Sequence, residues 1–332
     1  MSSSTFPSLP DFPQGSTAIK VNPGQTNAIG SCIETAPENA TIYVPAGEYK
    51  ECLTINKNIQ LIGEGEVILT ASQPTDAFTV NANVFVKNIK IQPGSSQCSS
   101  AVNLIGGSAL FEDCELTSPY MPPIVTHDEG LLYFNKCSIS SKEAAVLFAF
   151  NNIKVEFRGC TISSPQTVGI IASHKSQIRM IRSTLSNCGD SGIVILDHAI
   201  ITMDGCTLSS NKGDAIEIKT ESQTNSIVGT TIENHEKGLA INCFGPGKLQ
   251  VRGCTITNCT AGIVASNGFT IDAGENNISN VTKSALVCAT NKSQVTLDKD
   301  TLTGNCLLAI ISDSGSTVKC SGVEIVDIET TG

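Results

Sequence analysis

One phrase returns every 23 or 24 residues along this chain, and little else about the sequence constrains the fold as strongly. It reads Val155-Glu156-Phe157-Arg158-Gly159-Cys160-Thr161-Ile162, then Ile201-Thr202-Met203-Asp204-Gly205-Cys206-Thr207-Leu208, then Leu249-Gln250-Val251-Arg252-Gly253-Cys254-Thr255-Ile256. A fixed period of this length is the signature of stacked structural units. With the cysteine as register mark, the equivalent positions are Ile89, Cys114, Cys137, Cys160, Ser183, Cys206, Thr230, Cys254, Asn276, Asp300 and Val323. Apolar and polar residues alternate in each phrase, the period of a strand. A second strand precedes it, as in Gly169-Ile170-Ile171-Ala172 and Gly192-Ile193-Val194-Ile195. Two or three short strands in so few residues leave no room for a helix in each unit. The expected fold is therefore all-β: a single-stranded parallel β-helix solenoid of about 11–12 coils. Like residues then stack on like residues, about 4.8 Å apart.

Stacking gives the recurring side chains structural roles. The cysteines hold an inward strand position, where a free thiol serves as a small hydrophobe. Asn187, Asn211, Asn234, Asn258, Asn280 and Asn305 follow the register mark by four or five residues. Asparagine tolerates left-handed backbone and bonds locally, so this column reads as a turn ladder, with sugar binding as the sharper alternative.

Composition narrows the function classes. The net charge of -10 argues against nucleic acid and anionic membrane surfaces. No apolar run is long enough to span a bilayer, and the start of the chain lacks the pattern of a signal peptide. The 14 cysteines show neither Cys-x-x-Cys spacing nor a histidine cluster, so no metal and no cofactor is expected. Reduced thiols and a cytoplasmic location are the expectation.

The ends differ from the repeats. Residues 1–15 read as a flexible Ser/Pro-rich arm, and 16–332 as the solenoid, with a capping segment over 16–52 and coils over 53–328. Within that segment Ile29, Cys32, Ile33 and Ala36 have helical spacing, and Thr26 is placed to cap a short helix. No comparable helix follows Val318–Ile325. The last coil is expected to expose strand edges, which a second molecule or a larger assembly would cover.

The stretch Ile42-Tyr43-Val44-Pro45-Ala46-Gly47-Glu48-Tyr49-Lys50-Glu51, with Leu53-Thr54-Ile55 and Ile59-Gln60-Leu61-Ile62-Gly63-Glu64-Gly65 behind it, resembles the opening of right-handed β-helix domains of the pectin lyase-like superfamily. Pectin methylesterases, periplasmic copper-maturation proteins and the β-helix regions of certain F-box and Shc-binding proteins share this phrase. The resemblance covers about residues 16–328 and implies the fold. It leaves activity open, because the superfamily holds enzymes and non-enzymes. The signature residues of its methylesterases, polygalacturonases and pectate lyases do not occur here.

Two candidate sites remain. If the chain is an enzyme, the corner formed by His174, Asp197 and His198 is the place for general-base chemistry. His127-Asp128-Glu129 and His235-Glu236-Lys237 read as exposed turns. The binding candidate is an apolar outer stripe beside the second strand: Phe148, Ile171, Val194, Ala240, Val264 and Val287, interrupted by Glu217. The expected function is a non-catalytic scaffold with a protein partner. The alternatives are a carbohydrate-active or polysaccharide-binding protein, and a structural subunit of a larger, cytoskeletal assembly.

Overall fold

The computed structural model describes residues 6–7, 17–94, 99–127, 129–235, 237–304, 306, 308–313 and 315–326. Most of the arm, Asp128, Glu236, Asn305 and the end of the last coil lie outside these residues. The chain is an all-β parallel β-solenoid of about 13 turns. That exceeds the count from register marks because pairing begins upstream of Ile89. Ala18–Lys20 already pairs in parallel with Thr41–Tyr43, and Ala40–Lys50 pairs with Ile59–Thr70. The segment expected only to cap the solenoid thus supplies its first rungs.

Two compact units divide the chain, Ser4–Ser164 and Pro165–Gly332. In the first, several strands are long and bent, such as Phe78–Lys87 and Val102–Glu112. Their register shifts between Val80 and Asn81, a bulge that turns the strand without ending it. Gly107 sits beside that bend, and a Cβ there would lie 2.4 Å from the Ala82 carbonyl oxygen. The core carries a column of rings. Phe78, Phe111, Phe134 and Phe157 are fully buried, and Phe134 stacks on Phe111 and Phe157 at 5.3 and 5.2 Å.

The second unit repeats three short strands per turn, for example Gln177–Ile181, Thr184–Ser186 and Ile193–Asp197. Each pairs in parallel with its counterpart one turn on. Met180, Met203, Ile227, Val251, Ala273 and Leu297 form the inward column of the first strand.

The register marks are inward, and nearly all are buried. They stand at the corner between two strands, not within a strand. In both units the preceding residue has left-handed backbone: Asn88, Asp113, Lys136 and Gly159, then Arg182, Gly205, Gly229, Gly253, Glu275, Lys299 and Gly322. Glycine is free of strain there, which explains the Gly-Cys phrase. Just past the corner, a side chain can reach the carbonyls the corner leaves open. Cys137 and Cys160 donate Sγ–H to Phe111 and Phe134 carbonyls, both at 3.3 Å. Asn276 does the same to Val251 O at 3.0 Å, while its Oδ1 accepts Cys254 N at 2.8 Å. Asp300, also buried, accepts both Asn276 N and Asn276 Nδ2. One column thus holds Cys, Ser, Thr and Asn as donors to carbonyls, and Asn and Asp as acceptors of N–H groups.

The asparagine column is a second left-handed corner at Asn187, Asn234, Asn258 and Asn280. Asn258 Nδ2 bonds Asn234 Oδ1 at 3.0 Å, one rung of the expected ladder. Asn211 does not belong to it. Ser210 holds the corner in that turn, and Asn211 is buried one position on, accepting Cys188 N at 2.9 Å.

The helix forms at Ala28–Thr35 and buries Ala28, Ile29 and Ile33. Its cap differs from the expected Thr26. Asn27 is the N-cap residue and makes no side-chain cap bond. The buried Glu51 carboxylate accepts Ile29 N at 3.1 Å and Gly30 N at 2.9 Å instead. Lys57 Nζ donates to the Glu34 and Ala36 carbonyls at the other end. No helix among the described residues is long and apolar enough to cross a membrane.

Candidate functional site

The catalytic candidate lies on a third left-handed corner, shared by His174, Asp197, Asn267 and Asn291 in the second unit. Histidine, aspartate and asparagine are enriched in this conformation, which accounts for their presence. Asp197 Oδ2 accepts the Ser173 hydroxyl, and also His174 N at 3.1 Å. These donors, the hydroxyl first, hold the Asp197 carboxyl below the usual carboxylate range, with His174 and His198 adding to the effect. Ser173 Oγ also lies 3.2 Å from His174 Nδ1. His198 N bonds His174 O at 3.0 Å, and its exposed ring is 3.9 Å from Glu221 Oε2.

The geometry therefore joins Ser173, His174 and Asp197, a serine that sequence reasoning missed. The order of contact is wrong for nucleophile activation, however. That chemistry needs the imidazole between the carboxylate and the hydroxyl. Here the hydroxyl stands between the other two, so the carboxylate does not orient the imidazole. The same device recurs where no histidine is present. Asp313 accepts Asn291 N at 2.8 Å and the Ser316 hydroxyl at 2.6 Å. Both donors lower its pKa, the Ser316 hydroxyl foremost. An aspartate binding the amide of the previous corner is thus a structural rung.

The remaining histidines separate. His127 is exposed, and Glu129 beside it accepts Asn152 Nδ2 at 3.4 Å. His235 corrects the expectation of an exposed turn. It ends the strand Thr231–His235, pairs with Cys259 and is 0 % exposed. Its Nε2 lies 3.3 Å from Leu208 O, and burial depresses its pKa. A base with a depressed folded-state pKa stabilises the fold fully above its unfolded value, about 6.5, and loses that contribution as pH falls. The unfolding free energy of the wild type should therefore fall below pH 6.5 more steeply than that of His235→Leu. Chemical denaturation of both proteins at intervals from pH 5 to 8 checks this, and parallel curves would refute it.

The buried thiols are chemically quiet. All 13 described cysteines are free of disulfides. Hydrogen bonding with Cys114 raises the pKa of Cys137, a bond to Cys137 raises that of Cys160, and burial lifts Cys254 to about 11. Such thiols stay protonated and are poor nucleophiles. Among the described residues, no group of three or more His, Cys, Asp or Glu side chains could hold a metal ion.

The apolar stripe is real in part. Ile170, Ile193, Ile216, Ile241, Ile263 and Val287 are the inward partners, so Ile171, Val194, Glu217, Asn242, Val264 and Cys288 face outward. Ala240 and Val287 are 0 % exposed and drop out of the stripe. Ala240 lies in the loop before its strand, where alternation does not hold. At Val287 the register slips by one residue, and one residue exchanges the two faces. The outward members are half-buried. Phe148, in the first unit, pairs with Val125 and stacks on the exposed Phe150 at 5.9 Å.

Two outward columns run along the first strands. In the second unit Arg179, Thr202, Ser226 and Gln250 pair in register, as do Ile181, Asp204, Val228 and Arg252. Arg252 is tied to Asp272 at 2.7 Å. A shallow depression of about 460 Å³ lies here, lined by Gln223, Asn225, Lys248, Gln250, Thr270 and Asp272. A second, of about 590 Å³, lies in the first unit around Lys90, which already pairs with Glu66 and Glu115 at 3.0 and 3.6 Å. In the last described strand Ile325 and Val326 are exposed.

Comparisons agree with this architecture. The structure is similar to the A-module of mannuronan C-5 epimerase AlgE4 of Azotobacter vinelandii, with a TM-score of 0.65 and 12% identity over 97% of this chain and 99% of that one. The A-module of AlgE6 from the same organism gives a TM-score of 0.66 and 12% identity over 90% and 94%. The catalytic unit of a thermostable α-1,3-glucanase from Streptomyces thermodiastaticus gives 0.63 and 14% over 96% and 70%. At such identities the likeness carries the fold alone. The search of curated proteins gives no match. Residues 68–232 and 168–325 match the family described as right handed beta helix region, and the chain belongs to that family.

Proposed function

We propose that this protein is a non-catalytic β-helix scaffold that binds a protein partner through the outward face of its second strands. The observation that carries this reading is the pairing of Ile171 with Val194, together with Val264 and the half-buried Ile311 farther along the same column. Aliphatic side chains repeated on an outer sheet face are typical of interaction surfaces. The corner that could have done chemistry instead spends its carboxylate on turn bonds. Cysteines held as thiols fit a reducing, cytoplasmic setting.

Val194→Asp and Val264→Asp should each abolish partner capture while leaving the thermal transition within a few degrees of wild type. Asn242→Asp, on the same face, should have less effect on capture. Affinity purification from native extract with quantitative mass spectrometry measures the first, and circular dichroism the second. Loss of cooperative unfolding in both valine variants would mean that the stripe is core.

A second reading has its own support. The polar column Thr202, Ser226, Gln250 and the depression beside it offer hydroxyls and amides at regular spacing. Hydrogen-bonding groups so placed suit a neutral glycan, and the similar solved structures include carbohydrate-active enzymes. Binding of a neutral α-glucan that is lost in Gln250→Ala, read by calorimetry, would replace the scaffold reading with this one.

A further inference from the structure

The first unit contains an outward column that is dry. Leu110, Tyr133 and Glu156 pair in register on neighbouring strands. They alternate with the inward Phe111, Phe134 and Phe157, so their side chains leave the opposite face of the sheet. A solvent-facing column should be wet. These three are only 9%, 2% and 4% exposed.

Part of the cover is Phe6 and Pro7. The Phe6 ring meets Tyr133 edge-on, with centroids 6.2 Å apart and planes at 86°. Tyr133 Oη donates to the Pro7 carbonyl at 3.1 Å. The sequence between is no obstacle to reach. Thr17 O accepts Thr41 N on the first rungs. Tyr133 lies about five rungs from Ala18, roughly 24 Å at the parallel-strand spacing. The ten steps from Pro7 to Thr17 span up to about 33 Å.

The chemistry of the face defines what it takes. Tyr133 offers a ring and a phenolic donor. Glu156 is neutralised by Arg158, which reaches its Oε1 through Nε at 3.2 Å and Nη2 at 2.9 Å. A neutral, extended chain with an aromatic side chain and a following prolyl carbonyl satisfies all of these. Proline after the aromatic residue favours extended backbone, so such a segment is ordered before it binds. The sequence carries an apolar residue before proline three times, aromatic at Phe6-Pro7 and Phe12-Pro13 and aliphatic at Leu9-Pro10. Three residues per turn is the polyproline II period, with a repeat of about 9.3 Å. Two β-helix rungs measure about 9.6 Å, so a ligand of this pattern would keep step with the sheet.

We propose that the Leu110–Tyr133–Glu156 face is a binding groove for an extended aromatic–proline peptide, and that the protein's own Phe6-Pro7 step occupies it as an exchangeable internal ligand. The groove is on a different unit from the aliphatic stripe and does not depend on it.

The test uses the full chain and a fluorescein-labelled peptide of residues 1–16. An arm tethered in cis competes at millimolar effective concentration. Wild type should therefore bind the peptide at least roughly tenfold more weakly than full-length Phe6→Ala, as read by fluorescence anisotropy. Adding Tyr133→Ser to Phe6→Ala should abolish binding, and a peptide with both phenylalanines changed to alanine should not bind. Circular dichroism confirms that each variant is folded. A folded Phe6→Ala protein that ignores the peptide, or binds it with Tyr133→Ser in place, overturns the proposal. So does a wild-type dimer in light scattering that Phe6→Ala dissolves, since the arm would then serve a second copy.

Discussion

Phe134→Ala is expected to cost about 3–5 kcal/mol of folding stability, the usual range for removing a buried aromatic ring. Phe134 lies between two rings, at 5.3 Å from Phe111 and 5.2 Å from Phe157, with planes within 14° of parallel. Alanine would leave a void bounded by two faces that lose their partner. Aromatic pairs add about 0.5–1.5 kcal/mol each beyond the area they bury. A rung of a solenoid touches only its neighbours, so the loss concentrates in the first unit. Phe134→Leu keeps most of the volume and should cost less than half as much. Urea titration followed by circular dichroism measures both. Equal midpoints for wild type and Phe134→Ala would show that the stack is not a source of stability.

The second large effect is expected at Glu51. Its carboxylate satisfies two of the open amides at the start of Ala28–Thr35, at 3.1 and 2.9 Å. Helix N-termini favour negative charge, and charge-assisted bonds are about twice as strong as neutral ones. Glu51→Ala would leave the buried Ile29 N–H and the half-buried Gly30 N–H without this partner, at a cost of about 2–4 kcal/mol. Glu51→Gln keeps an acceptor and should lose about half of that. The helix covers its side of the fold with Ile29 and Ile33, so its loosening would expose both. Hydrogen exchange over residues 28–36 should speed by two orders of magnitude or more in Glu51→Ala, following the loss of local stability. Unchanged protection would assign the helix to packing alone.

What the sequence revealed depended on range. The period, the inward register column and the pairing of Ile170 with Ile193 follow from a repeat visible within three coils. A left-handed corner before each mark was also foreshadowed, since Gly159, Gly205 and Gly253 precede their cysteines. The errors arise where a coil gains or loses a residue. Asn211 and Ser210 exchange roles by one position, and Val287 turns inward for the same reason. His235 was hidden because a polar residue after Asn234 looks like part of the turn, whereas its partner Cys259 sits in an inward slot. The cap by Glu51 and the seat of Phe6 join residues 22 and 127 positions apart (51 − 29 and 133 − 6), and no local pattern announces either. The candidate corner was legible in its histidines. Ser173, which decides the order of contacts, was not, because one serine among many carries no signal.

The cysteine column also makes the protein readable from within. Cys114, Cys137, Cys160, Cys206 and Cys254 are buried one or two coils apart along the chain, each without a disulfide. A thiol reagent can modify such a residue only while its own rung stands open. The alkylation rate at each site, read by mass spectrometry, therefore reports the free energy of opening at that position. The repeat that sets the fold has thus also distributed probes of local unfolding along it.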